Sequence, residues 1–380
     1  MKDTQAAQGT VPAMHEMKVA STNGGDGPNS YYRNSSYQRN GVTSVLAMIE
    51  EAIYSEDLDM MQNGSDQCTY KSGEPFRIAD LGCSVGPNTF LVVEAIIEAL
   101  KKLKYHSHGD DVQEFQAFFN DIASNDFNTL VQSPLWETTQ QYYFKAVVPG
   151  SFHGRLFPKA SLRFVCCIYA LHWLSGSPKE LMDHNSPAAW NKGRITCHGV
   201  TAQVSASFLA QFTMDMGNFL QARAEEVAPG GFMALLLPFQ LPTSDPPQLF
   251  FVLVRLLDAA LSDMVSVGRV EEPKVDLFNF PSYLPTAAEL KMLIEKNGDF
   301  SIAKMEPLPP PKMGFDAPAL CNLLRAVMEK AMSAYFGCEI MDEVFDRYLK
   351  KIEDSSDLIL QSMEVSQDLF VLLKRKPTTD

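Results

Sequence analysis

The period of the apolar positions changes several times along the chain, and each change marks an element. Residues 76–81 are a short apolar run ending at Leu81, which reads as a buried strand. From 89 to 104, Phe90, Val93, Ala95, Ile96, Leu100 and Leu103 recur at helical spacing and predict a helix. Between the two lies a turn of small residues, Gly82-Cys83-Ser84-Val85-Gly86-Pro87-Asn88. Further strands are predicted at 113–119, 142–148, 162–169 and 232–238. A long helix is predicted at 204–226, stopped by Ala228-Pro229-Gly230-Gly231. Strands alternating with helices predict an α/β fold with a mainly parallel, doubly wound sheet.

The flanks differ. Residues 29–38 are polar with three tyrosines, 42–54 form an amphipathic helix pattern, and 55–75 read as a polar loop. After about 245, helices are predicted at 249–267, 287–296, 317–336 and 341–356, then a late strand at 369–374. The expected organisation is a flexible tail over 1–22, a ligand-binding core over 23–244 and a mostly helical cap over 245–380. The last strand of the cap returns to the core.

Composition narrows the partners. At 380 residues, 46% hydrophobic and 21% charged, the chain can bury a large core. A formal net charge of -14 argues against nucleic acid or an anionic membrane, both of which call for basic patches. No apolar run reaches the roughly 18–20 residues of a membrane span, and residues 1–18 lack a signal-peptide hydrophobic core. The seven cysteines are scattered, with no C-x-x-C pair, and fit small buried hydrophobes in a reducing, cytoplasmic setting.

Strand, glycine turn and helix start form a nucleotide-sized socket, because amides at a helix start face the ligand and glycine lets it approach. A dinucleotide fingerprint needs G-x-G-x-x-G. Here Gly82 and Gly86 flank Ser84, which disfavours a nicotinamide dehydrogenase. The spacing D-x-G-x-S-x-G from Asp80 suits S-adenosylmethionine, which has no pyrophosphate and needs an acid for its ribose hydroxyls. Asp121 stands after the second strand, where such an acid belongs. The competing reading is a structural strand-turn-helix that binds nothing.

Seven further segments follow one another in fixed order: Asn29-Ser30-Tyr31 with Asn34-Ser35 and Gln38; residues 78–88; Asn120-Asp121 with residues 125–128; residues 148–158; Tyr169-Ala170-Leu171-His172-Trp173-Leu174-Ser175; Asn191-Lys192-Gly193; and Phe278-Asn279 with Pro281 and Tyr283. In that order, from about 22 to 375, they resemble the plant SABATH carboxyl methyltransferases. That family includes salicylate, benzoate, jasmonate and indole-acetate enzymes and xanthine N-methyltransferases such as caffeine synthase. The resemblance implies a Rossmann-like class I methyltransferase core with a helical cap. It implies S-adenosyl-L-methionine as cosubstrate and a small, aromatic-type carboxylic acid as acceptor. Tyr31, Ser35, Cys83, Asn88, Asp121, Ile122, Ser151 and Phe152 would line the cofactor site, with Asp80 supporting its turn. Gln38, Tyr169, His172 and Trp173 would contact the acceptor, and Gln38 and Trp173 would position it for catalysis. A Mg2+ ion would map onto Asn191, Asp276, Phe278 (through its carbonyl) and Asn279. A homodimer is the family's common assembly.

These residue types suit the reaction. A carboxylic acid has an unperturbed pKa of about 4, so the acceptor is already an anion at neutral pH and needs no general base. The site must hold one carboxylate oxygen on the sulfur–methyl axis, and such orientation is worth effective molarities of about 10⁵–10⁸ M. The Gln38 amide and the donor-only Trp173 indole N–H can do this. The alternatives from other classes are xanthine N-methylation, whose branch tends to lack Gln38, and a catalytically inactive acid-binding relative. Departures from the pattern are Asn23 where a lysine is frequent (Met17-Lys18 lies earlier), Ser84-Val85 for Ser-Ser, Cys166-Cys167-Ile168 before Tyr169, and divergence after Gly193. His172 stands where salicylate specialists often carry methionine. Phe250, Phe251, Val254, Leu324 and Tyr335 are the cap residues expected to complete the pocket.

Overall fold

The computed structural model describes residues 21–55, 74–107, 113–139, 143–182, 191–197, 201–309 and 314–377. Residues 1–20 of the expected tail, nearly all of the 55–75 loop and Cys68 lie outside the described residues, whereas Ser21 and Thr22 line a cavity. Seven strands form one sheet: β1 Phe76–Leu81, β2 Phe115–Asp121, β3 Phe144–Pro149, β4 Leu162–Ile168, β5 Val227–Pro238, β6 Phe300–Pro307 and β7 Asp368–Arg375. Their order is β3-β2-β1-β4-β5-β7-β6. β1 to β5 run parallel, and β7 runs antiparallel to both of its neighbours. The strand order reverses between β1 and β4, which opens a crevice at the carboxyl ends of the strands.

Each sheet face is covered because the central strands are apolar on both sides, as buried parallel strands must be. Ala79, Leu81 and Val165 pack with the helices Ala202–Glu226 and Ala287–Asn297 on one face. Ile78, Phe119 and Cys166 pack with the helices Ser36–Ser55 and Asn88–Ser107 on the other. A third cluster unites Leu249–Ser266, Ala317–Phe336, Met341–Asp354 and Ser356–Val365 into the cap.

The α/β expectation holds, and several boundaries move. The first long helix starts at Ser36, six residues before the amphipathic pattern begins, and so carries Tyr37 and Gln38. Ala228-Pro229-Gly230-Gly231 is not a turn between elements. β5 begins at Val227 and carries the segment within it, with a register shift against β4 between Leu162 and Phe164. β6 was not expected at all. It is an edge strand whose exposed Ser301, Ala303, Glu306 and Pro307 break the apolar signal. The predicted helix at 341–356 is two helices meeting at Ser355. Residues 245–380 therefore do not form the cap alone. The Ala287–Asn297 helix and β6 belong with the sheet, and β7 returns to it as expected.

One buried ion pair joins the core to the site loop. Arg223 and Glu226, both fully buried, meet at 2.7 Å on the last turn of their helix. Arg223 also donates to the carbonyls of Phe152 and Gly154 at 2.8 and 2.9 Å. Glu226 accepts from the amides of Leu156 and Phe157. Four backbone groups of the loop after β3 are thus satisfied by one pair. Removing one partner strands the other charge in the core, which costs about 3–5 kcal/mol. Arg223→Ala is expected to lose that much in urea unfolding and to loosen residues 152–157; a change below about 1 kcal/mol would show that the pair does not hold the loop.

Candidate functional site

A cavity of about 280 Å³ lies over the carboxyl ends of β1, β2 and β4, between the sheet and the cap. Its size suits small molecules. At its floor Gly82 has φ +86°, and a Cβ there would lie 2.3 Å from the Cβ of Ala170. Only glycine lets the β1 turn pass this close to the end of β4. The turn is then tied to the next strand: the amides of Gly82 and Cys83 donate to the Asn120 carbonyl at 2.8 and 2.9 Å. Asn120 in turn donates to the carbonyls of Val148 and Gly150.

Asp121 closes this network. Its two carboxylate oxygens accept from the amides of Ser84 (2.8 Å) and Ile122 (2.7 Å), one each. Each oxygen can accept a further hydrogen bond and Asp121 lines the cavity, which suits the two neighbouring hydroxyls of a ribose. Burial pushes its pKa up to about 6, against the two amides and the charge of Lys330. Tyr31, Ile122, Ser151 and Phe152 share this end of the cavity. The Phe152 ring packs edge-on against Phe219.

Three residues expected to line the cofactor site, Ser35, Cys83 and Asn88, do not reach the cavity wall, and Asp80 supports the turn as expected. Asp80 is buried and accepts from the Thr89 hydroxyl and, at 3.4 Å, from the Cys166 thiol, so it anchors the Asn88–Ser107 helix. The Cys83 side chain packs into the core cluster beneath the Ser36–Ser55 helix. Asn88 donates to the hydroxyl of Ser35 at 3.1 Å, and this pair fastens the helix start to the N-terminal segment. All four hold the turn from behind. Lining residues that the sequence reading did not assign include Ser21, Thr22, Ser84, His153, Ser282 and Asp368. A hydroxyl bond of 2.6 Å between Thr22 and Ser84 has no local sequence signature, and His153 was passed over within a quoted motif.

At the other end stand Gln38, Tyr169, His172 and Trp173, all on the cavity wall. Trp173 is fixed by a bridge to Ser282 and by edge-on packing against Phe280 at 5.2 Å. Its indole N–H is bonded to no other described residue. Gln38 has a buried side-chain oxygen with no partner among the described residues. Burial pushes the His172 pKa down to about 3, so its ring is neutral at physiological pH. Tyr169 gives its hydroxyl proton to Asp368 at 2.6 Å and so presents its ring, not a donor. The cavity wall carries no lysine or arginine among the described residues. Of the expected cap residues, Phe250 and Leu324 line the cavity, joined by Leu253, Leu323, Val327 and Met328. Phe251 is buried off the cavity wall, Val254 packs in the cap cluster, and Tyr335 packs against Phe278 and Phe336.

Asn23 does not leave the rim unanchored. Its backbone donates to the Ala326 carbonyl and its side chain to Glu329 at 2.7 Å, which joins the N-terminal segment to the cap. The positive charge at this rim comes from Lys330, which donates to the Ser21 hydroxyl and the Ser124 carbonyl. The residues expected to hold a metal come from two facing segments. The Asn191 amide nitrogen donates to the Asn279 side-chain oxygen at 3.1 Å, while the Asn191 side-chain oxygen is buried without a partner. Asp276 ends a short helix nearby and is half-exposed. An oxygen-only set with one carboxylate and one orphaned amide oxygen fits a weakly held hard cation.

A doubly wound sheet with a glycine turn after β1 and an acid after β2 defines a nucleotide-binding α/β enzyme of the methyltransferase kind. The comparisons with known proteins sharpen this. The family profile described as SAM dependent carboxyl methyltransferase matches residues 17–376, and the chain belongs to that family. It is 39% identical over 374 residues to a loganic acid O-methyltransferase of Catharanthus roseus, covering 97% of this chain and 96% of that one. It is 34% identical over 379 residues to a probable 7-methylxanthine methyltransferase of Camellia ptilophylla, covering 95% and 99%. The solved structure of a loganic acid methyltransferase with SAH superposes with a TM-score of 0.86 at 38% identity, covering 93% of this chain and 98% of that one. The protein is a methyltransferase that uses S-adenosylmethionine, as the turn and the motif order implied.

The raised pKa of Asp121 gives a signed pH dependence. A carboxyl lifted to about 6 holds its proton below that pH in the ligand-free protein, and a protonated Asp121 has lost an acceptor for the ribose. Protonation therefore competes with the cofactor. Calorimetric titration of S-adenosylmethionine is expected to show affinity falling severalfold between pH 7.5 and pH 5. Asp80 and Asp368 are raised to the same region, so Asp121→Asn is the control. That variant is expected to bind weakly at both pH values with no slope; a wild-type slope in it would assign the effect elsewhere.

Proposed function

We propose that the protein transfers the methyl group of S-adenosylmethionine to the carboxylate of a small organic acid, giving the methyl ester and S-adenosylhomocysteine. A carboxylate oxygen forms the new O–C bond while the C–S bond breaks and its electron pair stays on sulfur. No proton moves. The observation that carries this reading is the acceptor end of the cavity. Gln38 and Trp173, whose amide and indole N–H groups can donate without charge, line the cavity there, and the nearby histidine is uncharged. Neutral donors orient an anion without holding it as tightly as a cation would, so they do not favour the ground state over the transition state. The apolar wall from Phe250, Leu253, Leu324, Val327 and Met328 takes the body of the acid.

Xanthine N-methylation is the second reading, favoured by the Camellia relative's printed activity. Gln38 favours the carboxylate. We propose three accompanying features. A magnesium ion would be held by Asn191, Asp276, the Phe278 carbonyl and Asn279; it would supply charge that joins two loops. A cytoplasmic setting fits six described cysteines that are all free thiols. A homodimer would cover the open edge of β3, where Phe144 is 60% exposed.

Two measurements test the proposal. A panel of small acids and xanthines with methyl-labelled S-adenosylmethionine is expected to place the label in a base-labile ester. Label on a ring nitrogen would support the second reading instead. Trp173→Phe keeps the shape and loses the donor. Turnover on the acid is expected to fall at least tenfold with cofactor affinity held, and unchanged turnover would remove the indole N–H from the carboxylate.

A further inference from the structure

The acceptor end of the cavity offers more polar groups than one carboxylate can use. Gln38 and Trp173 suffice for the carboxylate. Beyond them, the Nδ1 of His172 and the hydroxyl of Ser282 are buried on the same wall without a partner among the described residues. An unpaired buried polar group costs about 1–3 kcal/mol. A plain apolar acid would leave these groups unpaired in the complex.

Asp368 adds a charge to that surplus. It is the first residue of β7, is 4% exposed and faces the cavity. The Tyr169 hydroxyl donates to one carboxylate oxygen at 2.6 Å. The Tyr37 hydroxyl donates loosely across both, at 3.2 and 3.4 Å. The second oxygen therefore has only a long contact. A carboxylate can accept about four hydrogen bonds. Desolvation and these two phenols are what act on Asp368, and no cation is among its neighbours' influences. The arrangement is built for: Gly41 sits one turn after Tyr37, and a Cβ there would lie 1.8 Å from the Tyr169 hydroxyl oxygen. A glycine inside a helix, unfavourable by about 1 kcal/mol against alanine, makes room for the phenol that points at Asp368.

Two consequences follow for the acceptor. Its carboxylate is repelled by Asp368 and so is directed to the neutral donors of Gln38 and Trp173. A donor elsewhere on the acceptor completes Asp368. We infer that Asp368 is a specificity-determining residue that reads a hydroxyl group on the acceptor, so that the preferred substrate is a hydroxylated carboxylic acid. Ser282 and the neutral His172 pair with further hydroxyls. Sites that hydrogen-bond a substrate hydroxyl reject the analogue lacking it, because the protein group is then left unpaired.

This inference rests on the carboxylate reading, and the experiment separates the two. Matched pairs are compared in kcat/KM: cinnamic acid against its 2-, 3- and 4-hydroxy forms, and cyclopentanecarboxylic acid against its 3-hydroxy form. The wild type is expected to favour at least one hydroxylated member by tenfold or more. In Asp368→Ala and Asp368→Asn that ratio is expected to collapse toward one. The ratio is internal to each variant, so a general loss of folded protein or of cofactor binding does not move it. Esters formed without a hydroxyl preference, or a preference that survives in Asp368→Ala, would overturn the inference alone. Absence of ester from every acid would overturn the carboxylate reading and this inference with it.

Discussion

The Asp121 carboxylate, held between the amides of Ser84 and Ile122, is the contact on which the site depends. It joins the turn after β1 to the end of β2 and lines the cavity, with each oxygen able to accept a further hydrogen bond. The surrounding features serve it. Gly82 lets the turn approach β4, Asn120 links β1, β2 and β3, and the Asp80–Thr89 bond fixes the helix that follows. The cost is a buried carboxylate whose pKa is raised to about 6. A carboxyl raised in this way favours the folded state at acid pH and gives up that contribution as pH rises through about 6. At neutral pH the empty site is thus electrostatically unsatisfied, and hydroxyl donors from the cosubstrate relieve it.

The two ends of the cavity divide the chemistry. The cofactor end carries an acid and suits a ligand with hydroxyls and a sulfonium charge. The acceptor end carries neutral donors, an uncharged histidine and an apolar cap wall. Among the described residues its one lining acid is Asp368, tethered by two phenols. A reaction that needs no proton transfer is matched by an acceptor end whose donors are neutral and whose histidine is kept uncharged, its pKa pushed down to about 3. The cap supplies shape, and the N-terminal segment closes over it through Asn23 and Lys330.

The cofactor half was legible in the sequence because its signals are local. β1 is buried on both faces and reads as an apolar run, the glycine turn follows directly, and Asp121 ends the next strand. The depth of individual side chains was not legible. Ser35, Cys83 and Asn88 sit in the right motifs yet lie off the cavity wall, since a motif records position and not rotamer. β6 escaped because an edge strand carries polar residues such as Lys304 and Glu306. The contact between Tyr169 and Asp368 spans 199 residues, and a positive charge at the rim comes from Lys330 on the cap, where Asn23 supplies none. Pairings across that distance leave no spacing to read.

The most direct test of the account is the binding of S-adenosylmethionine to Asp121→Ala, measured by calorimetry at pH 7.5 beside the wild type. Thermal unfolding of the ligand-free proteins checks that both are folded. The account predicts a dissociation constant raised by at least tenfold, about 1.4 kcal/mol, in a variant that still unfolds cooperatively. An unaltered dissociation constant would contradict it, for the ribose would then lie away from Asp121 and the cavity would have to be read anew.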